Sequence, residues 1–231
     1  MGAYVLPGNP PVNLHLRRSG RARRISLRVS GVDGKVTLTL PHGVNEREAL
    51  AFARTKADWL RAQLGRQPES VEVVPGTAVP LGGRMIRVEA GGKGRRVQLA
   101  DDALWVPGDA AEAGARVRAW LKATARDRLA DASDRYAAAL GRAYSRITLR
   151  DTRSRWGSCT HDGGLMYSWR LVMAPVDVLD YVAAHEVAHL AEMNHGPAFW
   201  ATVDRLMPGY KAPRRWLREN GAHLHRYRFG D

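Results

Sequence analysis

Two histidines stand four residues apart in the segment His185-Glu186-Val187-Ala188-His189, and a third, His195, follows six residues later. On a helix this spacing brings His185 and His189 to one face, a single turn apart, so both imidazoles reach one point without bending the backbone. The chain must therefore be helical here, and it must reverse sharply afterwards if His195 is to join them. The flanking residues permit both. Val176–Ala184 is helix-compatible, with Pro175 suited to a first turn. Val178, Val182 and Val187 offer apolar packing on a stripe separate from the histidines. Asn194 and Gly196, both tolerant of left-handed backbone, stand where the reversal is needed.

A histidine pair at this spacing, with a glutamate beside the first, is the HExxH pattern of hydrolytic zinc sites. Three protein ligands leave a fourth position open, the catalytic form of such a site rather than the structural one. Glu186 is placed to take a proton from water at that position. His195 lies ten residues after His185, the metzincin spacing, although Glu192 stands where that pattern has glycine. Asp204, on the segment that follows, and Glu192 itself are its rivals as third ligand. Three imidazoles favour zinc, with manganese or another divalent ion as substitutes.

Period and turn signals divide the 231 residues into two modules, 1–108 and 109–231. The first is strand-rich. Ile25–Val29 and Val36–Leu40 alternate about Gly31-Val32-Asp33-Gly34, which predicts a hairpin. Asn45 and Glu48 mark a capped helix start, and Leu50, Ala53, Ala57, Leu60 and Leu64 share one face until Gly65. A second hairpin is expected from Arg84–Val88 and Arg96–Leu99 about Gly91-Gly92-Lys93-Gly94, with Leu104-Trp105-Val106 as a short extended piece. The second module opens with a long helix from about Ala110 to Gly141. Strands at Arg146–Leu149 and Leu165–Trp169 follow, then the histidine helix, Pro197–Met207 and a last helix near Arg214–Asn220.

Composition narrows the setting. No run of eighteen apolar residues is present, so no membrane span is expected. Met1–Pro7 lacks the charged start and apolar core of a secretory signal. The single cysteine, Cys159, suits a reducing compartment and reads as a small buried hydrophobe, so a cytoplasmic location is the simple expectation. The formal net charge of +13, with clusters at Arg17-Arg18, Arg21–Arg24, Lys93–Arg96, Arg214-Arg215 and His225–Arg228, would attract nucleotides, nucleic acid or acidic peptides. Its alternative is a charge that only promotes solubility.

Arg155-Trp156-Gly157-Ser158-Cys159, Leu165–Leu171, Tyr181–His189 and Asn194–Trp200, taken as a set, resemble the YgjP-like metallopeptidase-domain family and, more distantly, the SprT-like proteases. The Ile25–Leu40 hairpin, the helix with Lys56 and Trp59, and the basic N-terminal arm also fit, so the resemblance covers most of the chain. Members often carry cysteine where Ala188 stands. The resemblance implies an α+β fold, with a zincin-like C-terminal metallohydrolase domain whose small sheet packs on the histidine helix, beside the strand-rich N-terminal module. It implies that His185, His189 and His195 hold zinc and that Glu186 is catalytic. Leu165–Leu171 would be the edge strand beside the cleft, able to take an extended peptide by strand addition.

The expected activity is thus zinc-dependent hydrolysis, with an extended or unfolded protein segment as substrate. Two alternatives stand beside it. One is a metal-dependent nucleoside triphosphate pyrophosphatase, an assignment given to one family member for UTP, although Gly91–Gly94 lacks the Lys-Ser/Thr of a Walker loop. The other is a nucleic-acid-associated binding module with little turnover. Arg155, Tyr167 and Tyr210 are the candidate partners for an oxyanion, and Trp169 for substrate stacking. Trp156 and Trp169 are otherwise expected to pack the sheet against the histidine helix, and Phe199 and Trp200 to anchor the segment after His195. His223 and His225 read as surface histidines on an extended tail.

Overall fold

The computed structural model describes residues 2–31, 33–65, 69–92 and 94–230. Val32 of the first predicted turn and Lys93 of the second lie outside them. The chain forms two compact units, Met1–Glu69 and Ser70–Asp231.

In the first unit, strands β1 (Gly2–Leu6), β2 (Val12–Arg18), β3 (Ser26–Val29) and β4 (Val36–Leu40) precede helices α1 (Glu46–Thr55) and α2 (Ala57–Gly65). The predicted β3–β4 hairpin forms, with Ser26 opposite Thr39 and Val29 opposite Val36. Beyond it the sheet runs β1-β2-β4-β3, and β2 lies parallel to β4. Strands β1 and β2 were not expected, yet Val12, Leu14 and Leu16 alternate with Asn13, His15 and Arg17 at the strand period. The predicted single helix is two, because Lys56 leaves helical geometry at φ −106°, ψ 11° and its N–H bonds Ala53. Asn45 caps α1 by accepting from the Arg47 N–H. Leu6, Val12, Leu14, Leu16, Val36, Leu38 and Leu40 bury one sheet face against Ala49, Ala53 and Leu60.

The second unit begins with β5 (Val71–Glu72), β6 (Ala78–Leu81), β7 (Arg84–Ala90), β8 (Gln98–Ala100) and β9 (Ala103–Val106). The expected pairing of Arg84–Val88 with Arg96–Leu99 does not occur. The sheet runs β6-β7-β9-β8, and β9 inserts between them, parallel to β7 and antiparallel to β8. Burial decides the order: Leu104 and Val106 of β9 are core residues, whereas β8 is exposed throughout and goes to the edge. Asp101 and Asp102, at φ 51° and 58°, form the tight β8–β9 turn. Val73, Val79, Leu81, Ile86, Val88, Leu104 and Val106 share one core with the helices that follow. The division of the chain therefore falls after Glu69 and not near residue 108.

Helix α3 (Ala113–Leu140) follows a 3-10 turn at Ala110–Glu112 and stops at Gly141, whose left-handed φ of 70° suits a residue without a Cβ. Then come β10 (Arg146–Arg150), β11 (Gly157–Cys159), β12 (Gly164–Ser168), a 3-10 turn at Trp169–Met173, and α4 (Val176–Ala188). Helices α5 (Pro197–Leu206) and α6 (Lys211–Asn220), a 3-10 turn at Gly221–Arg226 and β13 (Tyr227–Arg228) complete the unit, with β13 paired to β5. The three-stranded sheet runs β10-β12-β11. Leu165–Leu171 is thus not an edge strand: β12 is central, bonded on both sides, and Trp169 onward leaves the sheet. Its strand residues are almost wholly buried and need partners for every backbone group. The free edges are β10 and β11.

Candidate metal centre

Helix α4 is buried on nearly every side, packing against α3, α5, α6 and β11. His185 and His189 lie one turn apart at its C-terminal end, as their spacing requires. The helix stops at Ala188, so His189 is already the capping residue. The N–H groups of Ala191 and Glu192 both bond the Ala188 carbonyl, which tightens the exit. Reversal is then made without left-handed backbone at Asn194 or Gly196: Gly196 N–H bonds the Asn194 carbonyl at 2.7 Å, a three-residue turn centred on His195. Pro197 starts α5 immediately afterwards.

This turn brings the third imidazole home. Ring nitrogens of His185, His189 and His195 all lie within 4.8 Å of one another. The Nε2 atoms of His185 and His195 are 3.1 Å apart. Two nitrogens bound to one tetrahedral zinc at ~2.05 Å would be separated by about 3.3 Å. Burial, and then the neighbouring imidazoles, push the His185 pKa down to about 3, and burial lowers that of His189. Neutral rings keep their lone pairs for a cation. The Nδ1 of His189 bonds the Glu192 carbonyl at 2.9 Å, which fixes the ring and leaves its other nitrogen to face the group. His185 Nδ1 is buried without a partner. These donors fit a divalent ion. Among the described residues no carboxylate joins the group: Asp204 is exposed on α5, and Glu192 contributes its backbone carbonyl.

Phe199 is the wall against which all three rings rest, at centroid distances of 4.9, 4.4 and 4.7 Å from His185, His189 and His195. Trp200 lies 5.8 Å from His185 and 5.9 Å from His195. Tyr210 stacks on Trp200 and on Tyr181, Tyr181 meets His185 edge-on, and the Arg214 guanidinium covers Trp200 at 4.2 Å. The anchoring expected of Phe199 and Trp200 is therefore direct contact with the imidazoles. Tyr181 precedes His185 by four residues, so the same helical spacing that paired the histidines could have found it.

Glu186 is buried, and desolvation pushes its pKa up to about 8 against the pull of Arg155. Its side chain lies directly over Gly157 of β11, where a Cβ would come within 2.5 Å of Oε1. The sequence offers no signal for that contact. Gly157 has no left-handed φ, so it is glycine for room alone. Cys159, further along β11, is half-buried with its thiol pushed up to about 11, chiefly by burial.

Of the four candidate substrate contacts, Arg155 is exposed and felt by Glu186, and Tyr210 belongs to the aromatic stack. Tyr167 and Trp169 are not available: both are fully buried in the core. The Tyr167 hydroxyl is held by Ser133 at 3.0 Å, and burial raises its pKa. Trp169 packs edge-on against Phe229, under the Arg170 guanidinium. Trp156 likewise meets the C-terminal segment, with His225 at 5.2 Å and Gly221 beneath its ring. His225 is accordingly buried within a 3-10 turn and is no surface histidine, while His223 is exposed. A cavity of about 460 Å³ opens beside His189, lined by Arg142, Thr160, His161, Asp162, Leu190 and Met193.

No helix among the described residues is long and apolar enough to cross a membrane. In comparison with known families, the model described as YgjP-like, metallopeptidase domain, matches residues 23–220. Comparison with curated proteins and with solved structures returned no match.

Proposed function

Because the chain belongs to the YgjP-like metallopeptidase-domain family, a family of metal-dependent hydrolases, we propose that it is a zinc-dependent peptidase with a zincin-like site at the end of α4. One observation carries this: three imidazoles converge within 4.8 Å beside a buried glutamate. His185, His189 and His195 would hold the ion, which when bound supplies a Lewis acid and makes water acidic near neutral pH. Glu186 holds and moves the proton. Burial raises its pKa, and a divalent ion held by the three imidazoles would favour the carboxylate form that a general base needs. Phe199 and the Glu192 carbonyl hold the imidazoles in register, so little reorganisation is required during turnover.

An extended peptide is the substrate that the free edge of β11 would accept, since its backbone groups stand unbonded by any strand on the side away from β12. Arg155 is then an exposed cation whose charge is felt at the base, and the candidate oxyanion partner. A second reading, nucleotide hydrolysis, draws support from a groove of about 370 Å³ on the outer face of this sheet, lined by Arg146, Arg150, Arg155 and several hydroxyls. Wild type and Glu186→Gln, each analysed for bound metal and assayed against a peptide library and a nucleoside triphosphate panel, separate the readings. Peptide cleavage lost in the variant while metal is retained is the expected result. Triphosphate cleavage with the same dependence supports the second reading, and turnover of neither by a metal-loaded wild type refutes both.

A further inference from the structure

Positive charge is shared unevenly between the two units. Residues 1–69 carry twelve Lys and Arg against five Asp and Glu, so +7 of the formal +13 lies in the smaller unit. Within it the strands and their connections, residues 2–40, hold seven cations and one carboxylate, Asp33. The helical part, residues 41–65, is nearly balanced at four against three. A charge that serves only solubility mixes its signs over the surface. Here the signs are segregated by layer.

The fold explains what that segregation exposes. Helices α1 and α2 lie on the face that buries Val12, Leu14, Leu16, Val36, Leu38 and Leu40. Alternation turns the intervening side chains to the opposite face, which no helix of this unit covers. Arg17 of β2 stands in register with Thr39 and Ser26, and Arg28 of β3 with Thr37 and His15. Lys35 continues the outward row of β4 and is exposed. The connection from β2 to β3 extends the same end of the sheet with exposed Arg21, Arg23 and Arg24. The result is an array of guanidinium, ammonium and hydroxyl donors on one face of the sheet.

We propose that this open face of the β1-β2-β4-β3 sheet, with the Arg21–Arg24 connection, binds the phosphodiester backbone of nucleic acid without regard to sequence. Repeated phosphates match a row of spaced cations and hydroxyls. No Phe, Tyr or Trp lies on the outward rows of β2, β3 and β4, so there is no platform on which bases would stack. Val5, on edge strand β1, is the only large exposed hydrophobe of these strands, too little to insert into a lipid surface. The site is independent of the metal centre and stands or falls without it.

The test uses the full chain and two fluorescent probes, a 20-base-pair random-sequence DNA duplex and a single-stranded RNA of equal length, followed by anisotropy across a salt series. Wild type should bind the duplex with a log–log salt slope of roughly −4.5 to −5.4, from about five or six phosphate contacts. Arg17→Gln/Arg28→Gln/Lys35→Gln should flatten that slope by about 2 to 3 and weaken binding roughly 100-fold at 0.1 M salt. Arg21→Gln/Arg23→Gln/Arg24→Gln should act similarly. Arg95→Gln/Arg96→Gln/Arg126→Gln, exposed positions of the second unit with the same charge loss, should stay within about twofold of wild type. The two probes identify which nucleic acid supplies the phosphates. Circular dichroism and bound metal should be unchanged in every variant, and the single Arg28→Gln replaces any triple that fails to fold. No binding to either probe at 50 mM salt overturns the proposal. So does an equal loss in the control triple, or a preference for anionic vesicles over both nucleic acids.

Discussion

Replacing Gly157 by alanine tests how closely Glu186 is held. The added Cβ would lie 2.5 Å from Oε1, 2.6 Å from Cγ and 2.7 Å from Cδ of Glu186. Non-bonded heavy atoms settle at about 3.5 Å, so the carboxylate and its stem must retreat by roughly 1 Å. Glu186 is only 5% exposed, and Ala183, Ala184, Val187 and Ala188 around it on α4 are buried, so little room is left for that shift. Overpacking of this kind costs about 1–3 kcal/mol of stability. A 1 Å misplacement of a reacting group costs on the order of 100-fold in rate. The imidazoles are not touched, so metal content should be unchanged while kcat falls about 100-fold. A double-mutant cycle supplies a readout that needs no substrate. In a Glu186→Ala background the atoms met by the new methyl are gone, and most of the penalty for Gly157→Ala in urea unfolding should vanish. An unchanged penalty in that background, or wild-type turnover by Gly157→Ala, would refute the reasoning.

Phe199→Ala removes a fully buried ring that touches all three histidines; stability should fall by about 3–5 kcal/mol and zinc affinity about 10- to 100-fold, read by unfolding and by competition with a chromophoric chelator. Arg170 is buried, bidentate to Asp151 at 2.7 and 3.0 Å, and donates to the carbonyls of Leu224 and Tyr227. Arg170→Met strands those acceptors and should cost about 3 kcal/mol in chemical denaturation, an unaltered midpoint being the contrary result. His225 has its pKa lowered to about 4, first by burial and then by Arg170. The unfolded chain takes up a proton below its ordinary 6.5 and the folded one only near 4, so stability should drop by up to about 3 kcal/mol as pH falls through that window. His225→Asn should lose correspondingly less between pH 7 and pH 4.5. Chelation of the metal should lower Tm, and readdition at a hundred times its Kd should restore about 2.7 kcal/mol; a melting curve indifferent to zinc would deny the site its ion.

Much of the candidate site was legible because its logic is local. The four-residue spacing of His185 and His189 dictates one helical face, and Asn194-His195-Gly196-Pro197 announces a reversal and a new helix. Even there the means differed: a three-residue turn replaced left-handed backbone, since a single hydrogen bond from Gly196 to Asn194 suffices to turn the chain. The hairpin at Ser26–Leu40 and the long helix ending at Gly141 were equally readable, each carrying its own period and its own stop. Strand partners were not. Leu104–Val106 looked like a fragment and lies inside a sheet; the resemblance implied an edge strand at Leu165–Leu171, and its strand part is bonded on both sides. Alternation tells which face of a strand is apolar but not which strand will lie beside it, because pairing is settled by burial summed over residues far apart in the chain.

The same distinction separates the residues of the site. Sequence alone placed His185, His189 and Glu186 on one turn of helix and made His195 the expected third imidazole, because local spacing and one reversal confine those side chains. Only the tertiary structure decided what becomes of the rest. It withdrew Tyr167 and Trp169 into the core, set Phe199 against the three imidazoles, raised the Glu186 pKa by burying it, and brought Gly157 from a different strand to within contact of that carboxyl. Desolvation and steric contact depend on every neighbour at once, and those neighbours come from segments that no spacing in the chain connects.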